Sequence, residues 1–196
     1  MALPAEKLPY TFADCLDWDE NERIELIYGE AFMMAPPLTV HQDISGELFA
    51  QIHAYLKGKN CKVYQAPFGV RLFEKEGDRP TDVDTMVEPD ISVICDRTKI
   101  DKRGCKGAPD LIIEILSPST SRHDRFVKFN LYQRAGVREY WIVDPSEQSV
   151  QVFLLEDGHY TAKDFGGAED KLLVNVLEDC VIDLSEVFPQ REKQEY

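Results

Sequence analysis

The ten residues "LIIEILSPST", 111–120, constrain the fold more than any other stretch. Leu111, Ile112, Ile113, Ile115 and Leu116 make a short apolar run that reads as a strand covered on both faces, which places it inside a sheet flanked by other layers. Glu114 interrupts that run. An ionised carboxylate buried there costs several kcal/mol (order of magnitude) unless a positive group meets it. The chain must therefore fold so that a cation reaches the middle of its own core.

The surrounding segments supply the layers. "RIELIYGEAFMMAPP" reads as a hairpin turning at Tyr28-Gly29-Glu30. "TVHQDISGELFAQIHAYLKG" sets Ile44, Leu48, Ile52 and Leu56 at helical spacing, with Gly58 to end the helix. "CKVYQAPFGVRLF" is one bent strand or two, broken near Pro67 and Gly69. The polar, turn-rich "DRPTDVDTMVEPD" leads into the buried strand "ISVIC", and "DRTKIDKRGCKGAP" reads as a loop. "SPSTSRHDRFVKFNLYQRAG" is a helix, with Ser121 and Asp124 as a capping box and Gly136 at its C-terminal end. "REYWIVDP" is a further strand, and "SVQVFLLEDGHYTAKDF" a hairpin turning at Asp157-Gly158. "CVIDLSEVF" adds a last strand and a short helix. Strands and helices mix without strict alternation, which predicts α/β (α+β) architecture: a mixed central β-sheet flanked by helices, with an extra C-terminal β-hairpin.

No repeat, low-complexity stretch or linker divides the 196 residues, so a single domain is expected, with an N-terminal arm (1–21) and a polar tail (189–196). No apolar run approaches the roughly 20 residues that span a bilayer, and the N-terminus lacks the regions of a secretory signal. The expectation is a cytoplasmic protein with no membrane partner. Five scattered cysteines without a C-x-x-C pair predict reduced structural thiols rather than a zinc site or a disulfide framework. Net charge is −14, which argues against a protein that coats nucleic acid. Between Arg97 and Arg138, however, ten Lys/Arg face four Asp/Glu, a local +6 that permits one basic surface on an acidic body or simply a solvated loop and helix face.

Three residues form the chemical core of the reading. Asp90 stands at the entrance of "ISVIC", just after a proline that extends the chain. If its strand neighbours that of Glu114, the two carboxylates converge, and a divalent cation resolves their repulsion. Mg²⁺ (or Mn²⁺) suits such a pair because it takes one or two carboxylates and leaves positions for water and phosphate. Lys128 shares a helix face with Leu131, Tyr132 and Ala135, so it belongs to the buried stripe and can aim at the two acids. The alternatives are that Asp90 caps a turn, that Glu114 meets a core arginine, and that Lys128 pairs with Asp124 one turn earlier. Metal, ammonium and two carboxylates together suit phosphodiester hydrolysis.

"VEPDISVICD", "GAPDLIIEILSPSTSRHDRFVKFNLYQRAGVREYWIVDP" and "ELIYGEAFMMAPP…H" together resemble the Uma-type family of bacterial restriction endonucleases, over roughly residues 22 to 155. That family belongs to the restriction-endonuclease-like superfamily, named for its PD-(D/E)XK motif. The resemblance implies a mixed sheet with a divalent metal at its catalytic edge, Asp90 as the aspartate of the motif and Glu114 as its second acid. It implies DNA as substrate and a homodimer, since cutting two strands takes two sites. The motif's lysine belongs two residues after the second acid, where this chain has Leu116; family members look as if the lysine has moved to the following helix, which here selects Lys128. His41 falls where the family pattern has a histidine and becomes a secondary candidate for contact with phosphate or with the metal's waters. Glu25 and Glu30 offer further acid near the site if their hairpin is not exposed, and "SPST" (117–120) offers donors to a phosphate or mere punctuation between strand and helix. Two other functions fit the same residues: a nuclease-fold binding or assembly module whose chemistry is idle or specialised, and a metal-dependent hydrolase of another phosphate ester.

Overall fold

The computed structural model describes residues 9–18, 23–117 and 123–188. In chain order the elements are α1 (Phe12–Cys15), β1 (Ile24–Ile27), β2 (Glu30–Met33), α2 (Thr39–Leu56), β3 (Lys62–Gln65), β4 (Val70–Arg71), β5 (Ile91–Ile94), β6 (Ile100–Asp101), β7 (Gly104–Lys106) and β8 (Leu111–Ile115). A π-helical stretch, His123–Lys128, then runs into α3 (Phe129–Ala135). After it come β9 (Glu139–Asp144), β10 (Ser149–Glu156), β11 (His159–Gly167), β12 (Lys171–Leu173), β13 (Val181–Asp183) and α4 (Leu184–Val187). The capping box that includes Ser121, most of the "SPST" segment, the polar tail and the greater part of the N-terminal arm lie outside the described residues.

Six strands form the central sheet in the order β11-β10-β9-β8-β5-β3. Its β8–β9 pair is parallel and its other pairs are antiparallel, so the sheet is mixed, as the sequence predicts. The parallel pair needs a crossover, and the helix 123–135 provides it. Strand β8 alternates as a doubly covered strand must. Leu111, Ile113 and Ile115 meet Ile44, Leu48, Ile52 and Leu56 of α2 on one face, while Ile112 meets Leu131 and Tyr132 of α3 on the other. Each such aliphatic side chain, fully buried, contributes about 1.5–3 kcal/mol. The C-terminal hairpin is not a separate appendage: β10 continues the central sheet beside β9, and β11 forms its edge.

Local signals match their elements. Tyr28 and Gly29 both have positive φ, the backbone of a two-residue hairpin turn between Ile27 and Glu30. Gly136 ends α3 in the left-handed region, its N–H bonded to the carbonyls of Tyr132 and Gln133. The chain breaks between residues 65 and 70 into two strands that join different sheets. Among the described residues no helix is long and apolar enough to cross a membrane.

Two expectations are corrected. The 96–109 segment is not all loop: β6 pairs with β7, and β7 with β4, in a small sheet. Arg71 organises it, 1% exposed, donating to Asp101 Oδ2 (2.7 Å), to the Arg103 carbonyl (3.0 Å) and to Glu74. A pattern reading cannot see a strand whose order comes from a distant arginine. The cysteines are the second correction: Cys61 and Cys95 form a disulfide, and Cys15, Cys105 and Cys180 remain free. The β3–β5 register pairs Lys62 with Ile94, so residues 61 and 95 are the next opposed pair, with Cα atoms 3.9 Å apart.

Several cations of the basic window are bonded to acceptors of the chain itself. Arg97 donates to the carbonyls of Asn60 and Lys59, Lys99 to that of Ala108, Arg125 to Asp144, and Arg138 to Asp110.

Candidate active site

The β5–β8 register pairs Ile91 with Ile113, which sets Asp90 opposite Glu114 on the next rung. The two acids therefore come from neighbouring strands at one end of the sheet. Asp90 is 9% exposed and Glu114 3%. Oδ2 of Asp90 accepts the backbone N–H of Ile115 at 2.8 Å and lies 3.1 Å from His41 Nε2. A carboxylate oxygen accepts, so His41 Nε2 is the donor in this contact. His41 Nδ1 is buried and has no hydrogen-bond partner among the described residues. His41 sits in the first turn of α2, which the "MAPPLTV" entry delivers to the carboxylate end of β5.

Glu114 lies on the α3 face of β8, and the helix supplies its partners. Lys128 Nζ donates to Glu114 Oε1 at 3.0 Å, and the Tyr132 hydroxyl donates to the same oxygen at 2.5 Å. Lys128 and Tyr132 are one helical turn apart, so both reach the same point. Lys128 also lies 2.9 Å from Glu25 Oε1 on β1, which in addition accepts the backbone N–H of Glu88. Lys128 is 3% exposed, and Glu25 likewise. The ammonium thus links β1, β8 and the crossover helix. It stands at the end of the π-helical stretch, a local widening that recurs at functional sites. Burial, reinforced by the Glu114 and Glu25 carboxylates, holds the Tyr132 hydroxyl well above the usual tyrosine range. It stays a donor, as the geometry requires.

The structure brings Asp90, Glu114, Lys128 and His41 to one region, Asp90 with His41 and Glu114 with Lys128. It adds Glu25, whose hairpin is not exposed at this position, and Tyr132, which sequence reading assigns only to the buried stripe. Glu30, by contrast, is exposed. Glu25 is buried because the 85–88 segment zips onto β1, with reciprocal backbone bonds between Leu26 and Met86 at 2.7 Å. Nothing in the spacing of "RIELIYGE" announces that partner. Among the described residues no group of three or more His, Cys, Asp or Glu is arranged to hold a metal ion. A cleft of about 440 Å³ has His41 in its wall, with Leu38, Leu116, Asp144 and Ser146 around it.

The fold is a mixed sheet flanked by helices, with Asp90 and Glu114 facing each other at one end of neighbouring strands and Lys128 on the crossover helix. A crystal structure from Anabaena variabilis ATCC 29413, described as "a putative nuclease belonging to DUF820", has this fold. It matches with a TM-score of 0.70 and 23% identity, over 92% of this chain and 98% of that one. The family model Uma2, described as "Putative restriction endonuclease", matches residues 12–185, and the chain belongs to that family. An uncharacterised protein of Synechocystis sp. (strain ATCC 27184 / PCC 6803 / Kazusa) is 26% identical over 145 residues, 72% of this chain and 72% of its own.

Proposed function

We propose that this protein is a Mg²⁺- or Mn²⁺-dependent endonuclease that hydrolyses DNA phosphodiester bonds at Asp90 and Glu114. The observation that carries the reading is the position of Asp90. It is a nine-tenths buried carboxylate directly across from a second one, and its partners are a backbone N–H and a histidine rather than a lysine or arginine. Oδ1 of Asp90 makes no hydrogen bond among the described residues, so one oxygen is available to a cation. A pair of carboxylates is the kind of hard oxygen ligand Mg²⁺ takes, its shell being completed with water and phosphate. When bound, such an ion polarises the phosphate and lowers the pKa of a water.

The protein's own groups do the rest. Asp90 and Glu114 would hold the ion, at the end of strands β5 and β8, that binds the reacting phosphate. Glu25 and Tyr132 fix Lys128 and Glu114 so that the ammonium stands ready beside the developing negative charge. His41 steers Asp90. Water adds to phosphorus and the bond to the leaving oxygen breaks, in the cytoplasm where a bacterial chromosome lies. Because each chain carries one such centre and a duplex has two strands, we assign a two-fold dimer as the form that cuts both.

The test is conversion of supercoiled plasmid with Mg²⁺ or Mn²⁺, beside Asp90→Ala and Glu114→Ala. Nicking by the wild type that falls at least about 100-fold in both variants supports the assignment. Equal nicking by all three identifies a contaminant and ends it. Sedimentation equilibrium reports the dimer separately.

A further inference from the structure

Two segments far apart in the chain are fastened into one corner at the end of β5 away from Asp90. The helix α2 ends at Leu56, the Lys59 N–H closes a turn onto the Leu56 carbonyl (3.0 Å), and β3 begins at Lys62. This turn is held to the end of β5 by three kinds of bond. The Cys61–Cys95 disulfide joins them, Asn60 Nδ2 donates to the Cys95 carbonyl (2.7 Å), and Arg97 donates to the carbonyls of Asn60 (2.8 Å) and Lys59 (3.3 Å).

The corner is positive. Residues 57–62 contain Lys57, Lys59 and Lys62 and no acid, and residues 95–99 contain Arg97 and Lys99 against Asp96 alone. That is a local +4 on a chain of −14. Lys57, Lys59, Lys62 and Arg97 are exposed. Arg97 and Lys99 donate to carbonyls, which are neutral, so neither charge is cancelled by its partner. Glu178 and Asp179 border the corner beside Cys180, which feels the charge of Lys59. Lysines just past a helix complement its negative C-terminal end, and Lys57 and Lys59 do so for α2. That does not account for Lys62, on a strand, or for Arg97, on another segment. Like charges held together repel, and a polyanion relieves the repulsion.

The sheet relates this corner to the acids. β3 is an edge strand of the central sheet, and it runs from Lys62, opposite Ile94, to Gln65, opposite Ile91. The next residue, Ala66, donates its N–H to the Asp90 carbonyl (3.1 Å). One edge therefore leads from the cations to the carboxylates. The five residues from Asp90 to Cys95 span about 17 Å at the rise of a strand, the length of about five base pairs of B-DNA.

We propose that Lys57, Lys59, Lys62 and Arg97 hold the phosphate backbone of duplex DNA about five base pairs from the bond being cut, the duplex lying along the β3 edge. The proposal rests on the reading of Asp90 and Glu114 as the hydrolytic centre, which fixes where the other end of that path lies. It also reconciles an acidic chain with a polyanionic substrate, because the contact is made by one corner and not by the net charge.

The test compares two double charge reversals that change the net charge equally. Lys57→Glu with Lys62→Glu alters the corner, and Lys75→Glu with Lys163→Glu alters exposed lysines elsewhere, Lys163 being on the opposite edge strand. Binding of a fluorescein-labelled 30-base-pair duplex is measured in Ca²⁺ over a range of salt concentrations. The expected result is at least about a ten-fold loss of affinity in the corner pair and less than about three-fold in the control pair. Lys57→Gln with Lys62→Gln, which removes charge without reversing it, should lower the slope of log affinity against log salt by about 2. Equal losses in the two reversal pairs, no loss in the corner pair, or no binding of duplex by the wild type overturns the proposal. Duplex bound through the corner but not cut in Mg²⁺ or Mn²⁺ supports the surface and counts against the hydrolytic centre. Plasmid cut with the same KM by wild type and corner pair keeps the centre and overturns the surface, so the two failures are distinct.

Discussion

Replacing Lys128 with methionine keeps the reach of the side chain and removes the charge that Glu25 and Glu114 share. Both acids are nine-tenths buried or more, so the loss is that of a broken interior ion pair, about 3–5 kcal/mol. Urea unfolding of Lys128→Met should show it as a lower midpoint with an unchanged slope. Tyr132→Phe isolates the neighbouring bond to Glu114 and should lower stability by about 1–3 kcal/mol. The same residue sets an alkaline limit. Its folded-state pKa is raised above the ordinary 10.0 by burial and by the Glu114 and Glu25 carboxylates, so its contribution is complete below pH 10 and is lost as pH rises beyond it. Urea midpoints between pH 9 and pH 11 should fall less steeply for Tyr132→Phe than for the wild type. Of these residues, Glu114 and Lys128 were legible in the sequence because each breaks an apolar pattern. Glu25 has no such mark, since its burial depends on a segment some sixty positions away.

At the scale of elements, β9 carries a further buried acid that no pattern singled out. Glu139 is fully buried, and it accepts from Trp141 Nε1, from the backbone and side chain of Asn175, and from the backbone of Val176. Four N–H donors satisfy a carboxylate without any cation, and they tie the 174–177 turn to the centre of the sheet. Glu139→Ala should therefore release that turn and destabilise the protein by about 3 kcal/mol, the scale of stranded buried donors. Denaturant unfolding measures the loss, and a shifted Trp141 emission should accompany it. The sequence marks this strand well as "REYWIVDP", yet gives no sign of the role of its first acid, because the donors lie on a loop with no periodicity. The small β4-β7-β6 sheet escapes for a similar reason. Its β6 and β7 strands are only two and three residues long, and Arg71 of β4, some thirty positions earlier, ties Asp101 and Arg103 to it.

Across the whole molecule, the mixed sheet, its two covering layers and the long helix α2 were readable from alternation and helical spacing. The cysteine chemistry was not, since pairing residues 34 apart requires the register of β3 on β5. Closing that loop should stabilise the fold by about 3–4 kcal/mol, which a comparison of Cys61→Ser with the oxidised wild type by thermal or urea unfolding would reveal. Without reductant, the denatured protein should titrate three free thiols. In the folded state these should react slowly even at pH 8, because burial pushes Cys15 and Cys105 up to about 12 and Cys180 to about 11.

The ammonium of Lys128 ties a hairpin at the beginning of the chain to a central strand and to a crossover helix. Excised pieces of this protein should consequently be inert, because each would hold an isolated member of a cluster that distant segments create jointly. During gradual denaturation, the plasmid cleavage proposed above should vanish together with the circular dichroism signal. An enzyme whose centre sat on one supersecondary unit could lose those two signals at different denaturant concentrations.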